Sequence, residues 1–141
     1  MFTCLQRLAV LTALMTIAIT GCAKPGPPVI EVEGKVTYNG EPITTGMVKF
    51  IPKSLDNGLV RPAVGSIAAD GTYQISAFPG RNGSRPGEYQ VAIVSYSGSF
   101  ADGTVKYLVP QRLSEPQTSG LNAVVPADSA GPLVLDFSLS D

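Results

Sequence analysis

Hydrophobic and polar residues alternate with a period of two in the segment 30–38. The apolar positions are Ile30, Val32, Val36 and Tyr38, and the polar positions between them are Glu31, Glu33, Lys35 and Thr37. This pattern is typical of a strand with one buried and one solvent-exposed face. Residues 47–51 alternate in the same way, and Asn39-Gly40 supplies residue types that tolerate the positive φ of a tight turn. The pattern predicts two strands joined as a hairpin, which needs further strands to cover its apolar face.

Five more short alternating segments follow, separated by glycine and proline turns, at 63–69, 72–76, 88–93, 121–125 and 133–139. Their predicted inward residues are Gly65, Ile67 and Ala69, then Tyr73 and Ile75, then Tyr89, Val91 and Ile93, then Leu121, Ala123 and Val125, and finally Leu133, Leu135, Phe137 and Leu139. Asp70-Gly71 is predicted to be a hairpin turn. No segment after Cys22 has a helical period longer than one turn. The pattern predicts an all-β fold, a seven-stranded antiparallel β-sandwich.

The first 21 residues have the pattern of a secretory signal peptide. Arg7 precedes an apolar run over 8–19. Twelve helical residues rise about 18 Å, which is well short of the roughly 30 Å hydrocarbon core of a bilayer. A short apolar run with a basic residue before it and small residues after it predicts export and cleavage.

The residues that end this segment indicate a lipid anchor. Ile19-Thr20-Gly21-Cys22 resembles the bacterial lipobox, in which small side chains let the peptidase approach the bond before the cysteine. The resemblance implies cleavage before Cys22 and attachment of diacylglycerol to its thiol, so the membrane is an expected partner. Ala23 and Lys24 follow without an aspartate. By resemblance to lipoprotein sorting in two-membrane bacteria, this favours the outer membrane over the inner one, on its periplasmic or surface face.

The rest of the chain is predicted to be a tether over 22–28, rich in proline and glycine, and one domain over 29–141. Removal of residues 1–21 takes Arg7 from the ten basic residues, which leaves nine against eleven acidic residues and a net charge of −2. A nucleic-acid partner needs a basic stripe, so this balance argues against one.

The residue types that carry most catalysis near neutral pH are missing. The chain has no histidine, and the only cysteine of the predicted mature protein is the one that carries lipid. This excludes a Ser-His-Asp or Cys-His arrangement and a histidine-based metal site. Asp56-Asn57-Gly58 and Asp102-Gly103 lack the repeated spacing of a calcium loop and are interpreted as turns. We therefore expect no catalytic residues, no metal and no cofactor, and a protein that is not an enzyme.

Several turns and strands together resemble a known family. The motifs Val32-x-Gly34-Lys-Val36, Gly40-x-Pro42-Ile43 and Gly46-x-Val48-x-Phe50 resemble the opening of the carboxypeptidase regulatory-like, or transthyretin-like, domain. Asp70-Gly71-Thr72-Tyr73-x-Ile75 and Pro86-Gly87-Glu88-Tyr89-x-Val91 resemble its central hairpin and next strand. The chain is also similar to short bacterial lipoproteins that carry this domain alone, through Leu108-Val109-Pro110-x-x-Leu113 and Thr118-Ser119-Gly120-Leu121. The likeness covers about 29–140 and implies a Greek-key sandwich, without implying an activity.

Two hypotheses for the function remain. The favoured one is a non-catalytic structural or protein-interaction module of the cell envelope, tethered to the membrane. The alternative is a lipoprotein that binds a carbohydrate or small ligand through the loops around 97–107. Its candidate residues are Tyr96, Phe100 and Tyr107, three aromatic residues that the predicted core does not use. A concavity lined by these three residues favours the second hypothesis. Binding is expected on the loops 52–62, 77–87 and 97–119. Arg81 and Arg85 in the second of these loops also offer an anion site, but a solvated loop is the simpler interpretation of the two residues.

Overall fold

The computed structural model describes residues 28–54 and 61–141. The predicted signal peptide, the lipobox, Cys22 and all but the last residue of the tether lie outside these residues. The described chain is predominantly β, with a 3-10 helix at Gln111–Ser114 and one α-helical turn, α1, at Pro116–Ser119. None of its helices has the length and apolar character needed to cross a membrane.

Eleven short strands form three sheets in the described residues. In chain order they are β1 (Val32–Tyr38), β2 (Glu41–Pro42), β3 (Met47–Pro52), β4 (Ala63–Ser66), β5 (Thr72–Gln74), β6 (Gly87–Val94), β7 (Tyr96–Ser97), β8 (Lys106–Tyr107), β9 (Leu121–Val125), β10 (Leu133–Val134) and β11 (Phe137–Leu139). The first sheet surrounds β1, which pairs with β2, β5, β10 and β11. The second has the order β4-β3-β6-β9, and the third is the two-stranded ribbon β7-β8.

The hairpin predicted from the first two alternating segments is wrong, although both strands exist. Asn39 and Gly40 adopt the expected positive φ values of 50° and 88°. The turn that they make leads into β2, which pairs with the end of β1. The chain then crosses to the other sheet, where β3 pairs with β4 and β6. Alternation identifies a strand and its buried face, but it does not identify the neighbouring strand.

The wholly antiparallel pairing is also wrong, because β1 runs parallel to β10 and β11. These two strands replace the single seventh strand that was predicted. The interruption falls at Leu135 and Asp136, where a side chain enters the ladder: the Lys35 amide donates to Asp136 Oδ1 at 2.8 Å. The Leu135 carbonyl accepts a hydrogen bond from the Tyr73 hydroxyl at 2.6 Å. The same carbonyl oxygen lies so close to Gly34 that a Cβ atom at position 34 would be 1.9 Å from the oxygen.

The hydrophobic core takes side chains from both larger sheets. Phe50 of β3 is fully buried, and its ring contacts Tyr89 of β6 and Phe137 of β11, with centroids 5.7 and 6.3 Å away. The predicted inward residues of β6 and β9 are buried or pack against this core. Ala69 was predicted to point inward from the segment 63–69, but it lies in the turn before β5 and is exposed. Leu133, Leu135 and Phe137 are half-buried at the margin of the core.

Strand β6 defines two ends of the domain. Its eight residues span about 23 Å at roughly 3.3 Å per residue. The proximal end, beside Gly87, is where the described chain begins: the Ile30 amide donates to the Ser84 carbonyl at 2.8 Å, and the Ser84 amide donates back to the Ile30 carbonyl at 3.0 Å. The distal end, beyond Val94, leads into the ribbon β7-β8. The two ends therefore present different surfaces on opposite sides of one core.

Candidate functional site: an exposed aromatic cluster

The three aromatic residues singled out from the sequence meet at the distal end. Tyr96 of β7 lies directly opposite Tyr107 of β8, with ring centroids 6.4 Å apart. The loop between the strands brings the ring of Phe100 to 5.0 Å from that of Tyr96. Ser95, which is fully buried, fixes the base of the ribbon: its hydroxyl donates to the Thr45 carbonyl at 2.7 Å, and its carbonyl accepts from the Leu108 amide. We call Tyr96, Phe100 and Tyr107 the aromatic cluster.

Phe100 projects into solvent from a loop that is held by its own hydrogen bonds. Its side chain is 65% exposed. Asp102 Oδ1 accepts from the amide and the hydroxyl of Thr104 at 3.0 and 2.6 Å, and Thr104 Oγ1 accepts from the Ser99 amide at 3.0 Å. The two hydrogen bonds that Thr104 donates stabilise the ionised carboxylate and lower the pKa of Asp102. The loop therefore holds a large apolar side chain in a defined position, in contact with the ring of Tyr96 and otherwise largely exposed to water.

The ring orientations within the cluster limit what it can bind. The planes of Tyr96 and Phe100 meet at 70°, and those of Tyr96 and Tyr107 at 66°. Edge-to-face contacts of this kind stabilise aromatic pairs, but they do not give a flat surface made of several rings. The cluster therefore presents Phe100 as a single projecting ring and not as part of a flat surface of several rings.

The clearest groove lies elsewhere, over the outer face of the first sheet. Its volume is about 720 Å³, and the side chains along it include Glu33, Lys35, Thr72, Gln74, Asn82 and Asp136. Several of these groups already bind one another: Gln74 Nε2 donates to Glu33 Oε2 at 3.1 Å, and Asn82 Nδ2 donates to Gln74 Oε1 at 3.3 Å. Neither this groove nor the two smaller ones beside Val29 are lined by residues of the aromatic cluster.

A second cluster, at the proximal end, was only half recognised in the sequence. The ring of Phe78 lies 5.8 Å from the guanidinium carbon of Arg61 and 5.5 Å from that of Arg85. Sequence reasoning named Arg81 and Arg85, but it assigned no role to Phe78 or Arg61. Arg61 is distant in sequence and reaches Phe78 because Val64 and Ser76 form a bridge between their segments. The sequence feature that points to this cluster is the Pro79-Gly80 turn, which has Phe78 and Arg81 on either side of it.

The other perturbed groups have local causes. Burial, followed by the charge of Asp136, raises the pKa of Tyr73, and burial raises the pKa of Tyr89. Hydrogen bonds from Thr72 lower the pKa of Asp70 at the turn before β5. Within the described part of the chain, no group of three or more histidine, cysteine or acidic residues is placed to hold a metal ion.

Comparisons with known proteins give distant structural likenesses. No family model and no curated protein matches the sequence. A DUF3823 family protein from Bacteroides ovatus is similar over 79% of this chain and 44% of its own, with 17% identity and a TM-score of 0.39. A 9R-lipoxygenase from Cyanothece is similar over 96% of this chain and 20% of its own, with 11% identity and a TM-score of 0.42. The chain thus spans less than half the length of either protein, and no family is assigned from them.

Proposed function

We propose that this protein is an exported lipoprotein, anchored through Cys22, that acts as a non-catalytic protein-interaction module of the cell envelope. The aromatic cluster is its contact site. The observation that carries the proposal is the 65% exposure of Phe100 on a loop fixed by hydrogen bonds. Burying a phenylalanine side chain contributes about 1.5–3 kcal/mol. A partner with a matching pocket gains this energy without having to order the loop.

The proposed scaffold is a β-sandwich of the carboxypeptidase regulatory-like type. Its support is the packing of Phe50 from the four-stranded sheet against Phe137 from the β1 sheet, with one core cluster shared by both sheets. Such a scaffold presents its loops at the two ends, where binding residues commonly lie.

Carbohydrate binding at 97–107 is the alternative, and the ring geometry favours protein recognition over it. The rings of the cluster are set at steep angles, so they offer a sugar no flat surface made of several rings. Tyrosine and other aromatic residues are common at the centres of protein interfaces, which agrees with the three rings gathered here.

Anchoring is tested by changing the residue that carries the lipid. Cys22→Ser removes the thiol, so the variant should remain uncleaved or be exported without a lipid, and it should leave the detergent phase in which the wild type is found. Phase partitioning and mass spectrometry of the N-terminus measure both effects. A processed, membrane-bound Cys22→Ser protein contradicts the proposed anchor.

Recognition is tested by removing the projecting ring. Phe100→Ala in the full-length protein should weaken capture of the envelope partner at least tenfold, because exposed aromatic anchors dominate interface energies. Val124→Ala is the matched control, since Val124 is 60% exposed on β9, away from the ribbon. Capture by cross-linking and co-purification from an envelope extract measures the effect. Equal loss in both variants, or none in Phe100→Ala, contradicts the proposal, and competition by free oligosaccharide supports the carbohydrate alternative.

A further inference from the structure

The proximal end carries a basic surface made of Arg61, Phe78, Arg81 and Arg85. Phe78 and Arg81 form a bridge across the Pro79-Gly80 turn, and Gly80 has the positive φ of 73° that such a turn requires. The guanidinium groups of Arg61 and Arg85 lie against the ring of Phe78. A guanidinium held by an aromatic ring loses little freedom on binding, and those of its N–H groups that are not buried can donate to a phosphate.

The charges of this surface are not paired within the described chain. In residues 28–54 and 61–141 the ion pair formed is Lys53–Glu88, at 3.7 Å, and it involves none of the three arginines. The Nε atom of Arg85 is buried and has no hydrogen-bond partner among the described residues. One carboxylate, that of Glu31, borders a groove together with Arg81 and Asn82. Among the described residues the local charge balance is therefore basic, although the predicted mature protein has a net negative charge.

The basic surface lies where the chain leaves for its anchor. Ile30 is bound to Ser84 by two backbone hydrogen bonds, and the Gly83 carbonyl accepts from the Ala77 amide at 2.9 Å. Val29 and Glu31 share a groove with Gly80 and Arg81. Six residues lie between Cys22 and Val29, so seven Cα–Cα steps join them, and at a maximum of about 3.6 Å per step the extended chain spans about 25 Å. An acyl chain on Cys22 therefore keeps this end of the domain close to the bilayer.

From this arrangement we propose that the basic surface contacts the phosphate headgroups of the membrane that holds the protein. The inference rests on the proposed function, since it requires the lipid on Cys22. Arginine binds phosphate through paired N–H groups, and phenylalanine partitions into the interface between headgroups and acyl chains. The contact orients the domain, so that the aromatic cluster, which lies beyond the far end of β6, faces away from the bilayer and towards a partner.

The chain has no tryptophan, so one introduced tryptophan reports on one place. Phe78→Trp places it in the basic surface, and Phe100→Trp places it in the aromatic cluster as the matched control. Each full-length acylated variant is reconstituted into vesicles of phosphatidylcholine with phosphatidylglycerol that contain brominated lipid. Quenching of the Phe78→Trp variant should be at least twice that of the Phe100→Trp variant, and it should weaken in high salt because charges in water are screened.

Charge variants then test whether the arginines cause the contact. In the Phe78→Trp protein, Arg61→Gln with Arg81→Gln, both at exposed positions, should weaken the contact about fivefold per arginine, whereas Lys106→Gln on β8 should have no effect. Circular dichroism checks that each variant is folded. Equal quenching of the two tryptophan variants, or quenching at position 78 that survives the double change, overturns the inference alone. Protein that fails to float with the vesicles overturns the lipid anchor and this inference together.

Discussion

The two ends of the domain use similar residues but hold them differently. At the proximal end, Phe78 is half-buried against two arginines, and its turn is tied to the core through the pairing of Ser84 with Ile30. At the distal end, Phe100 is largely exposed, and its loop is held by hydrogen bonds among Ser99, Asp102 and Thr104.

The difference lies in how each loop is stabilised. A loop tied to the core moves only when the core opens, whereas a loop that binds only to itself can open alone. The proximal end is therefore suited to a fixed, extended contact such as a membrane surface. The distal end is suited to a partner that accepts one projecting side chain. Each loop contains a glycine whose Cα lies against a backbone carbonyl, so the same substitution can be compared at both ends.

The largest effect is expected from Gly83→Ala at the proximal end. Gly83 has a φ of 108°, and a Cβ there would lie 2.1 Å from the Ile30 carbonyl oxygen. The backbone strain and the steric overlap are each worth about 1–3 kcal/mol, so the free energy of unfolding should fall by about 2–6 kcal/mol. Gly80→Ala is the control, because Gly80 has a φ of 73° and open space around it, and it should cost about 1–2 kcal/mol. Denaturant unfolding measures the free energy of unfolding of both variants. Equal losses of stability in Gly83→Ala and Gly80→Ala contradict the claim that the core holds this loop.

A smaller effect on global stability is expected from Gly98→Ala in the distal ribbon. Gly98 has a φ of 83°, and a Cβ there would lie 2.2 Å from the Thr104 carbonyl oxygen, an overlap similar to that at Gly83. Here the ribbon can open by itself, so the global loss should stay below about 1 kcal/mol while partner capture falls sharply. Gly103→Ala, at a glycine with a φ of 72° and no neighbouring atoms, should retain more capture. If Gly98→Ala lowers the free energy of unfolding as much as Gly83→Ala does, the proposed difference between the two ends is contradicted.

The two ends also show what alternation along the chain can and cannot predict. The strands and their buried faces followed from local sequence, as in β6, where Tyr89, Val91 and Ile93 are fully buried. The pairing of β1 with β10 and β11 did not follow from local sequence, because it joins residues about a hundred positions apart. A period of two does not specify which strand is the neighbour.

The two candidate sites also differ in how far they could be predicted from the sequence. The aromatic cluster was predictable in part by elimination, since its three rings are among those that the core alternation leaves over, and a short ribbon brings them together. The contact of Arg61 with Phe78 was not predictable from the sequence, because it depends on the bridge between Val64 and Ser76.

The smallest effect expected is a change of the distal loop in acid. The Thr104 hydrogen bonds hold the pKa of Asp102 below its usual value of 3.8, so the ionised carboxylate stabilises the folded loop. For a group whose pKa is lower in the folded state, this stabilisation is fully present above pH 3.8 and is lost as the pH falls through the lowered pKa. Arginine keeps its charge over this range, so the basic surface should not respond. Asp70 has the same arrangement with Thr72, but its turn is buried at Gly71 and should stay in place.

Fluorescence anisotropy of the two tryptophan variants measures this difference between about pH 7 and about pH 2.5. The anisotropy of the Phe100→Trp variant should fall with a midpoint below pH 3.8, while that of the Phe78→Trp variant stays constant. Asp102→Asn in the Phe100→Trp protein is the control, because the amide oxygen still accepts from Thr104 but carries no charge to titrate. Its anisotropy should therefore be independent of pH over this range. If both tryptophan variants change together, acid acts on the whole domain, and the distal loop has no stability of its own. If Asp102→Asn retains the transition, another group is responsible for it.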